Sequence, residues 1–269
     1  MSDHPIAARW RVVRREHRSA LIPYITAGFP DPGASVDALR MLETAGADIV
    51  EVGVPFSDPL ADGVTIQRST QAALDQGVTV PRVLEQIERA ALAIPVVIMT
   101  YLNPVIAYGV ERFLEDASAA GASGLLLTDF PAGADTELEA RVAASPLALI
   151  RLVAPTTRPE RLTRAMQGAS GFVYLISRLG VTGAREEVPA DLETHVQRIR
   201  AVTDLPVAVG FGIGTPAQAR RTAAVADGVV VGSALIDALD NGGVAAGARL
   251  ITDLARAVRE SGNPVGSAS

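Results

Sequence analysis

Glu51 lies inside an otherwise apolar run, Ile49-Val-Glu-Val-Gly53. A carboxylate on such a strand, turned toward an apolar interior, loses its hydration. Its charged form is then disfavoured and its pKa rises, so it can donate as well as accept a proton near neutral pH. The position equally suits a glutamate that pairs with an arginine in the interior. Asp58 and Asp62 follow on the connection Val54-Pro-Phe-Ser-Asp-Pro-Leu-Ala-Asp-Gly63. Each is flanked by turn residues, so each is either a turn cap or a catalytic group.

Two segments far along the chain fit an anion. Val209-Gly-Phe-Gly-Ile-Gly-Thr-Pro216 and Val231-Gly-Ser-Ala234 are glycine turns. Glycine lets backbone N–H groups approach oxygen atoms, Ser233 adds a hydroxyl, and a helix N-terminus favours negative charge. These turns therefore predict a phosphate site. A third segment, Ser177-Arg-Leu-Gly-Val-Thr-Gly183, is either a mobile lid bearing Thr182 and Gly183 or an exposed glycine-rich turn.

What the chain lacks narrows the chemistry. All 24 basic residues are arginine, so no lysine Schiff base can form with a carbonyl substrate or with pyridoxal phosphate. With no cysteine, disulfides, thiolate nucleophiles and thiolate-bound metals are excluded, and a reducing, cytoplasmic setting fits. The histidines, His4, His17 and His195, sit at no predicted strand end, so no metal site is expected. Carboxylates, hydroxyls and backbone donors remain. A net charge of −6 argues against a nucleic-acid partner. Residues 90–110 are uncharged, but Pro95, Asn103 and Pro104 interrupt them. They predict a buried strand and a polar loop, not a membrane span. Charged residues break up the first twenty positions, so no signal peptide is expected.

The elements that must position these groups alternate. Apolar runs rich in branched residues fall near 21–26, 49–53, 96–100, 124–128, 148–152, 172–177, 207–210 and 228–231. They are continuously hydrophobic, as strands buried on both faces should be. With aromatics at only 4%, the core must be mainly Val, Leu, Ile and Ala. Helical spacing separates the strands, as in Val36, Leu39, Leu42 and Ala45, or Leu84, Ile87 and Ala91. Asp31-Pro32 and Thr215-Pro216 read as an N-cap followed by proline. Eight strands alternating with helices predict an α/β chain closed into a (β/α)8 TIM barrel. An open doubly wound sheet lacks its G-x-G-x-x-G after the first strand. The expectation is a single domain over 1–269. Within it, 1–18 form an extra N-terminal helix under the barrel, and 261–269 a frayed tail. The run Arg9–Arg18 is read as one face of that helix. Connections 53–64 and 177–189 are longer than a barrel needs, and both follow strands, on the side where barrels place their active sites.

The quoted segments match a family. Glu51 with Val54–Gly63 resembles the signature of tryptophan synthase α subunits. So do Leu21-Ile-Pro-Tyr-Ile-Thr-Ala-Gly28, Thr100-Tyr-Leu-Asn-Pro104, Tyr174–Gly183, Gly210–Ile213 and Val231–Ser233, in the family's order. The resemblance implies a lyase of L-tryptophan biosynthesis that splits indole-3-glycerol phosphate into indole and glyceraldehyde 3-phosphate. It implies that Glu51 is the acid–base residue and that Asp62 holds the indole N–H. Tyr24, Met99 and Tyr174 would line the indole pocket, with Tyr24 standing where some members have Phe. Thr182 would brace Asp62 when the loop closes. Gly183, Gly212, Gly232 and Ser233 would hold the phosphate, flanked by Phe211. The family also implies an α2β2 heterotetramer, with Asp58, Pro59 and Asn103 at the β interface, no cofactor in this chain, and pyridoxal phosphate only in the β subunit. The alternative is a catalytically idle α-like chain that only activates or seals a β partner. Two other phosphate-binding barrels of the same pathway are disfavoured. The synthase that makes the indole substrate needs a lysine, and phosphoribosylanthranilate isomerase needs a cysteine. One departure stands out: Thr128-Asp-Phe-Pro-Ala-Gly-Ala-Asp135 lacks the acidic pair many members carry after the proline, which predicts altered helix capping there.

Overall fold

The computed structural model describes residues 4–176, 189–210 and 212–262. Helix α1 (Pro5–Arg15) precedes strand β1 (Ala20–Thr26), and α2 (Pro32–Thr44) leads to β2 (Val50–Gly53). Helices α3 (Val64–Asp75) and α4 (Val80–Ala90) come next, then β3 (Val96–Thr100). Helices α5 (Leu102–Tyr108) and α6 (Val110–Ala119) precede β4 (Ala122–Leu127). Helix α7 (Thr136–Ala144) connects to β5 (Ala148–Val153), and α8 (Pro159–Ala165) to β6 (Val173–Ile176). Then come α9 (Leu192–Arg200), β7 (Val207–Gly210), α10 (Pro216–Ala223), β8 (Gly228–Val231) and α11 (Ser233–Glu260).

The strands pair in sequence order, every pair parallel, and β8 closes on β1. The chain is thus the predicted eight-stranded barrel. Alternation along the strands sorts their side chains. Ile22, Ile49, Val97, Leu126, Ile150, Phe172 and Tyr174 pack together inside the barrel. Leu21, Ile25, Val50, Val52, Ile98, Leu125 and Leu149 face the helices. Both faces exclude water, which is why the strands read as unbroken apolar runs.

Helix α1 closes the bottom. It buries Ile6, Trp10 and Val13, and the Trp10 ring meets Phe172 edge-on at 5.9 Å. A Cβ at Gly228 would stand 2.9 Å from that indole, so β8 carries glycine where the plug needs room. The two ends of the basic run are tied down: Arg9 on α1 and Arg18 beyond its end both donate to Asp48, at 2.6 to 3.0 Å, and Asp48 also accepts the Leu21 N–H at 2.9 Å, while Arg11, Arg14 and Arg15 are exposed.

The helix ends follow local chemistry. Asp31 accepts from the Ala34 N–H, and Thr215 forms a full capping box with Gln218. Capping of α7 falls to Asp135, which accepts from the N–H groups of Glu137 and Leu138 at 3.0 Å. Helix α4 ends one residue sooner than its spacing indicated. Ala91 is its left-handed cap (φ 48°), and Ala90 takes the buried position. Helix α11 is broken at Gly242 and Gly243, leaving a short first segment from Ser233. Among the described residues no helix is long and apolar enough to cross a membrane.

Candidate active site

Strand parity settles where Glu51 points. Ile49 is in the interior cluster and Val50 and Val52 are in the outer one, so Glu51 faces inward. It pairs across the ladder with Tyr24 on one side and Val97 on the other. Its side chain is fully buried, and among the described residues neither carboxylate oxygen has a hydrogen-bond partner. The arginine pairing left open by the sequence is therefore not made by any described residue. Desolvation alone pushes the Glu51 pKa up to about 8.

Asp62 comes from the connection after β2. Two turn bonds shape this segment: Leu60 N–H to the Asp58 carbonyl at 2.9 Å and Asp62 N–H to the Pro59 carbonyl at 3.0 Å. Gln67 on α3 donates to the Asp62 carbonyl at 2.9 Å. The carboxylate accepts from the Tyr101 hydroxyl at 3.1 Å. Burial raises its pKa to about 6, and the Tyr101 bond, which favours the ionised form, opposes that rise.

Glu51 and Asp62 line one cavity with Tyr24, Met99 and Tyr174, and with Gly212, Gly232 and Ser233. It holds about 460 Å³ of empty space, part of it open to solvent. Tyr24 packs against the end of β2 because that strand ends in glycine: a Cβ at Gly53 would overlap its hydroxyl. That hydroxyl lies 3.4 Å from Thr26, whose own hydroxyl meets Ser69 of α3 at 2.7 Å. Burial and the neighbouring carboxylates raise the pKa values of Tyr24 and Tyr174, so both keep their protons.

Gly212, Gly232 and Ser233 wall part of the cavity. Gly212 adopts φ +80°, a left-handed conformation that only glycine enters cheaply. No side chain caps α11, and its first turn bonds back to the Gly232 carbonyl only from Leu235 and Ile236, at 2.9 and 3.1 Å. The first N–H groups of this helix thus have no intrahelical acceptor, and they stand beside the cavity.

Other predicted residues are not among the described residues that line the cavity. Thr182, Gly183 and Phe211, with the candidate lid after β6, fall outside the described residues. Asp58 and Asn103 are exposed and Pro59 is half-buried, all near the rim. Asp58 accepts from the Ser57 hydroxyl at 2.7 Å. Close to them in sequence the structure exposes three large apolar side chains: Leu60 (93%), Val64 (64%) and Ile106 (56%). Sequence reasoning missed these, and it missed Gly63, Ile66 and Val230 in the cavity wall. It also missed Tyr101 as a partner of Asp62. The available signal was position: Tyr101 follows β3 directly, at the end of the barrel where strands deliver functional side chains.

Comparison with known proteins places these features in a family. The family model described as tryptophan synthase alpha chain matches residues 11–261. The tryptophan synthase alpha chain of Geobacter sulfurreducens is 44% identical over 258 residues, covering 95% of this chain and 98% of that one. That of Chloroflexus aggregans is 45% identical over 231 residues, covering 85% and 86%. Among solved structures, tryptophan synthase from Mycobacterium tuberculosis superposes with a TM-score of 0.89 at 42% identity, covering 96% of this chain and 99% of that one. The tryptophan synthase subunit alpha of Legionella pneumophila gives 0.87 at 32% identity, covering 96% and 100%.

Proposed function

The chain belongs to the tryptophan synthase alpha chain family, lyases of tryptophan biosynthesis that cleave indole-3-glycerol phosphate, and we propose that Glu51 and Asp62 divide the chemistry between them. Glu51 enters the reaction protonated and gives its proton to C3 of the indole ring. The ring becomes an iminium ion and can accept electrons. Asp62 enters ionised, accepts the indole N–H and stabilises the positive charge that develops there. The Glu51 carboxylate then takes the proton from the glycerol hydroxyl next to the ring. That carbon becomes the aldehyde of glyceraldehyde 3-phosphate, the carbon–carbon bond breaks, and its electron pair restores the aromatic indole. Glu51 ends protonated, as it began.

The observation that carries this reading is that two carboxylates in one cavity have unlike surroundings. Glu51 is buried without a described partner, whereas Asp62 is held by a hydroxyl donor. Environments that push two pKa values apart assign an acid and a base. Gly212, Gly232 and Ser233 would hold the phosphoryl group, with Gly183 completing the cradle, and Tyr24, Met99 and Tyr174 would flank the ring. Thr182 would brace Asp62 from the lid, and Phe211 would flank the phosphate. The ring is its own electron sink, so these steps call on no cofactor in this chain. Pyridoxal phosphate belongs to a partner β subunit. A cytoplasmic location is part of this reading.

The exposed apolar group Leu60, Val64 and Ile106, with Asp58, Pro59 and Asn103 close to it in sequence, supports docking of that β subunit in an α2β2 heterotetramer. The test of the reaction is a direct assay of indole release from indole-3-glycerol phosphate, with and without β. Glu51→Gln is expected to lower turnover at least about 10²-fold, the lower range for a positioned acid–base group. Near-normal turnover in that variant would remove Glu51 from its role. A wild-type chain silent under both conditions would leave only an activating subunit.

A further inference from the structure

We propose that Tyr101 is a positioning residue for the reaction, holding the Asp62 carboxylate in place and coupling it to the outer surface of α5. The inference rests on the reading of Asp62 given above. The Tyr101 hydroxyl bonds two consecutive residues of the loop after β2. It accepts the Ala61 N–H at 2.9 Å and donates to Asp62 Oδ2 at 3.1 Å. The ring is buried and lies 5.2 Å from Phe56 of the same loop. One side chain therefore fixes both the path of the loop and the direction of its carboxylate.

Tyr101 is also the N-cap residue of α5. The next residue, Leu102, gives its N–H to Asp129 Oδ1 at 2.8 Å, which anchors the start of α5 to the loop after β4. Ile106 projects from α5 into solvent, and Leu60 does so next to Ala61. A load on Ile106 can reach Asp62 through the Tyr101 hydroxyl, and one on Leu60 acts on the same loop that this hydroxyl holds.

The titratable groups facing Asp62 are Tyr24 from β1, Glu51 from β2, Tyr101 after β3 and Tyr174 from β6. Asp58, on its own loop, turns to Ser57 instead. No arginine lies among the described residues lining the cavity. The Tyr101 hydroxyl is thus the described donor that favours ionised Asp62.

The experiment is Tyr101→Phe, which keeps the ring and removes the hydroxyl, alone and combined with Asp62→Asn. Losing a hydrogen bond to a charged group should lower kcat/KM about tenfold. The acid limb of the kcat/KM profile should move to higher pH, a change that simple loss of packing would not produce. In the Asp62→Asn background the same substitution should add less than about twofold, because the carboxylate charge that the hydroxyl stabilises is already gone. Wild-type kcat/KM and an unmoved acid limb in Tyr101→Phe would overturn the proposal. So would an equal loss in both backgrounds. If Asp62→Asn alone keeps full activity, the assigned role of Asp62 fails instead, and the two failures are told apart by that one variant. Should Tyr101→Phe prove poorly folded, Asp129→Ala, which removes the acceptor of the Leu102 N–H, offers a second route. It loosens the α5 anchor without touching the cavity, and a smaller shift of the acid limb in the same direction is expected. An unmoved limb there would overturn the link to α5.

Discussion

Glu51 and Asp62 share one cavity, yet among the described residues only Asp62 has a donor, the Tyr101 hydroxyl at 3.1 Å. The difference sets the sign of each pH effect. Asp62 is pushed up to about 6, so raising the pH through that value ionises it and readies it for its proposed hold on the indole N–H. Glu51 is pushed up to about 8, so raising the pH further strips the proton that the proposed mechanism gives to the ring. The kcat/KM profile should therefore be bell-shaped, rising near pH 6 and falling near pH 8, since this ratio reports the free enzyme. Steady-state kinetics from pH 5 to 9 check it, with Asp62→Asn expected to lose the acid limb. A flat profile would mean that neither carboxylate titrates where its burial puts it.

The elements around these residues were legible to different degrees, and the reasons are physical. Helix α1 and the strands bury continuous apolar faces, so their sequences carry the pattern directly. Trp10 shows how much depends on one such face: it plugs the barrel bottom against Phe172 and Gly228. Trp10→Ala should cost about 3–5 kcal/mol through the cavity it leaves, measured by denaturant unfolding. A loss below about 1 kcal/mol would mean that α1 does not close the core. Glu51 was legible because an acid amid Ile49, Val50 and Val52 is conspicuous, and Asp62 because its segment is distinctive. The Tyr101–Asp62 bond was not, since it joins the end of β3 to the loop after β2, a contact that no local spacing encodes. Ala91 was misplaced for a related reason. Helical spacing continues through a left-handed cap that alanine seldom occupies, and only the backbone angle shows where the helix stops.

At the scale of the whole molecule, the chemistry and the exposed apolar side chains gather at the same end of the barrel. The loop after β2 delivers Asp62 inward and Leu60 outward, and the segment after β3 delivers Tyr101 inward and Ile106 outward. Water-exposed Leu, Val and Ile side chains on a rim mark a surface that gains by being covered. A β subunit seated there would press on the two segments that hold the Asp62 carboxylate. Covering Ile106 removes a half-exposed side chain from water, and replacing it with a charge would leave that charge desolvated at the junction. Ile106→Asp should therefore weaken binding to the cognate β subunit at least about tenfold, a penalty typical of a centrally placed apolar contact. Titration of β into the chain, followed by calorimetry, measures it, with circular dichroism confirming an unaltered fold. If the affinity is unchanged, the apolar rim is not where β docks, and the coupling of α5 to Asp62 would have to answer to some other surface.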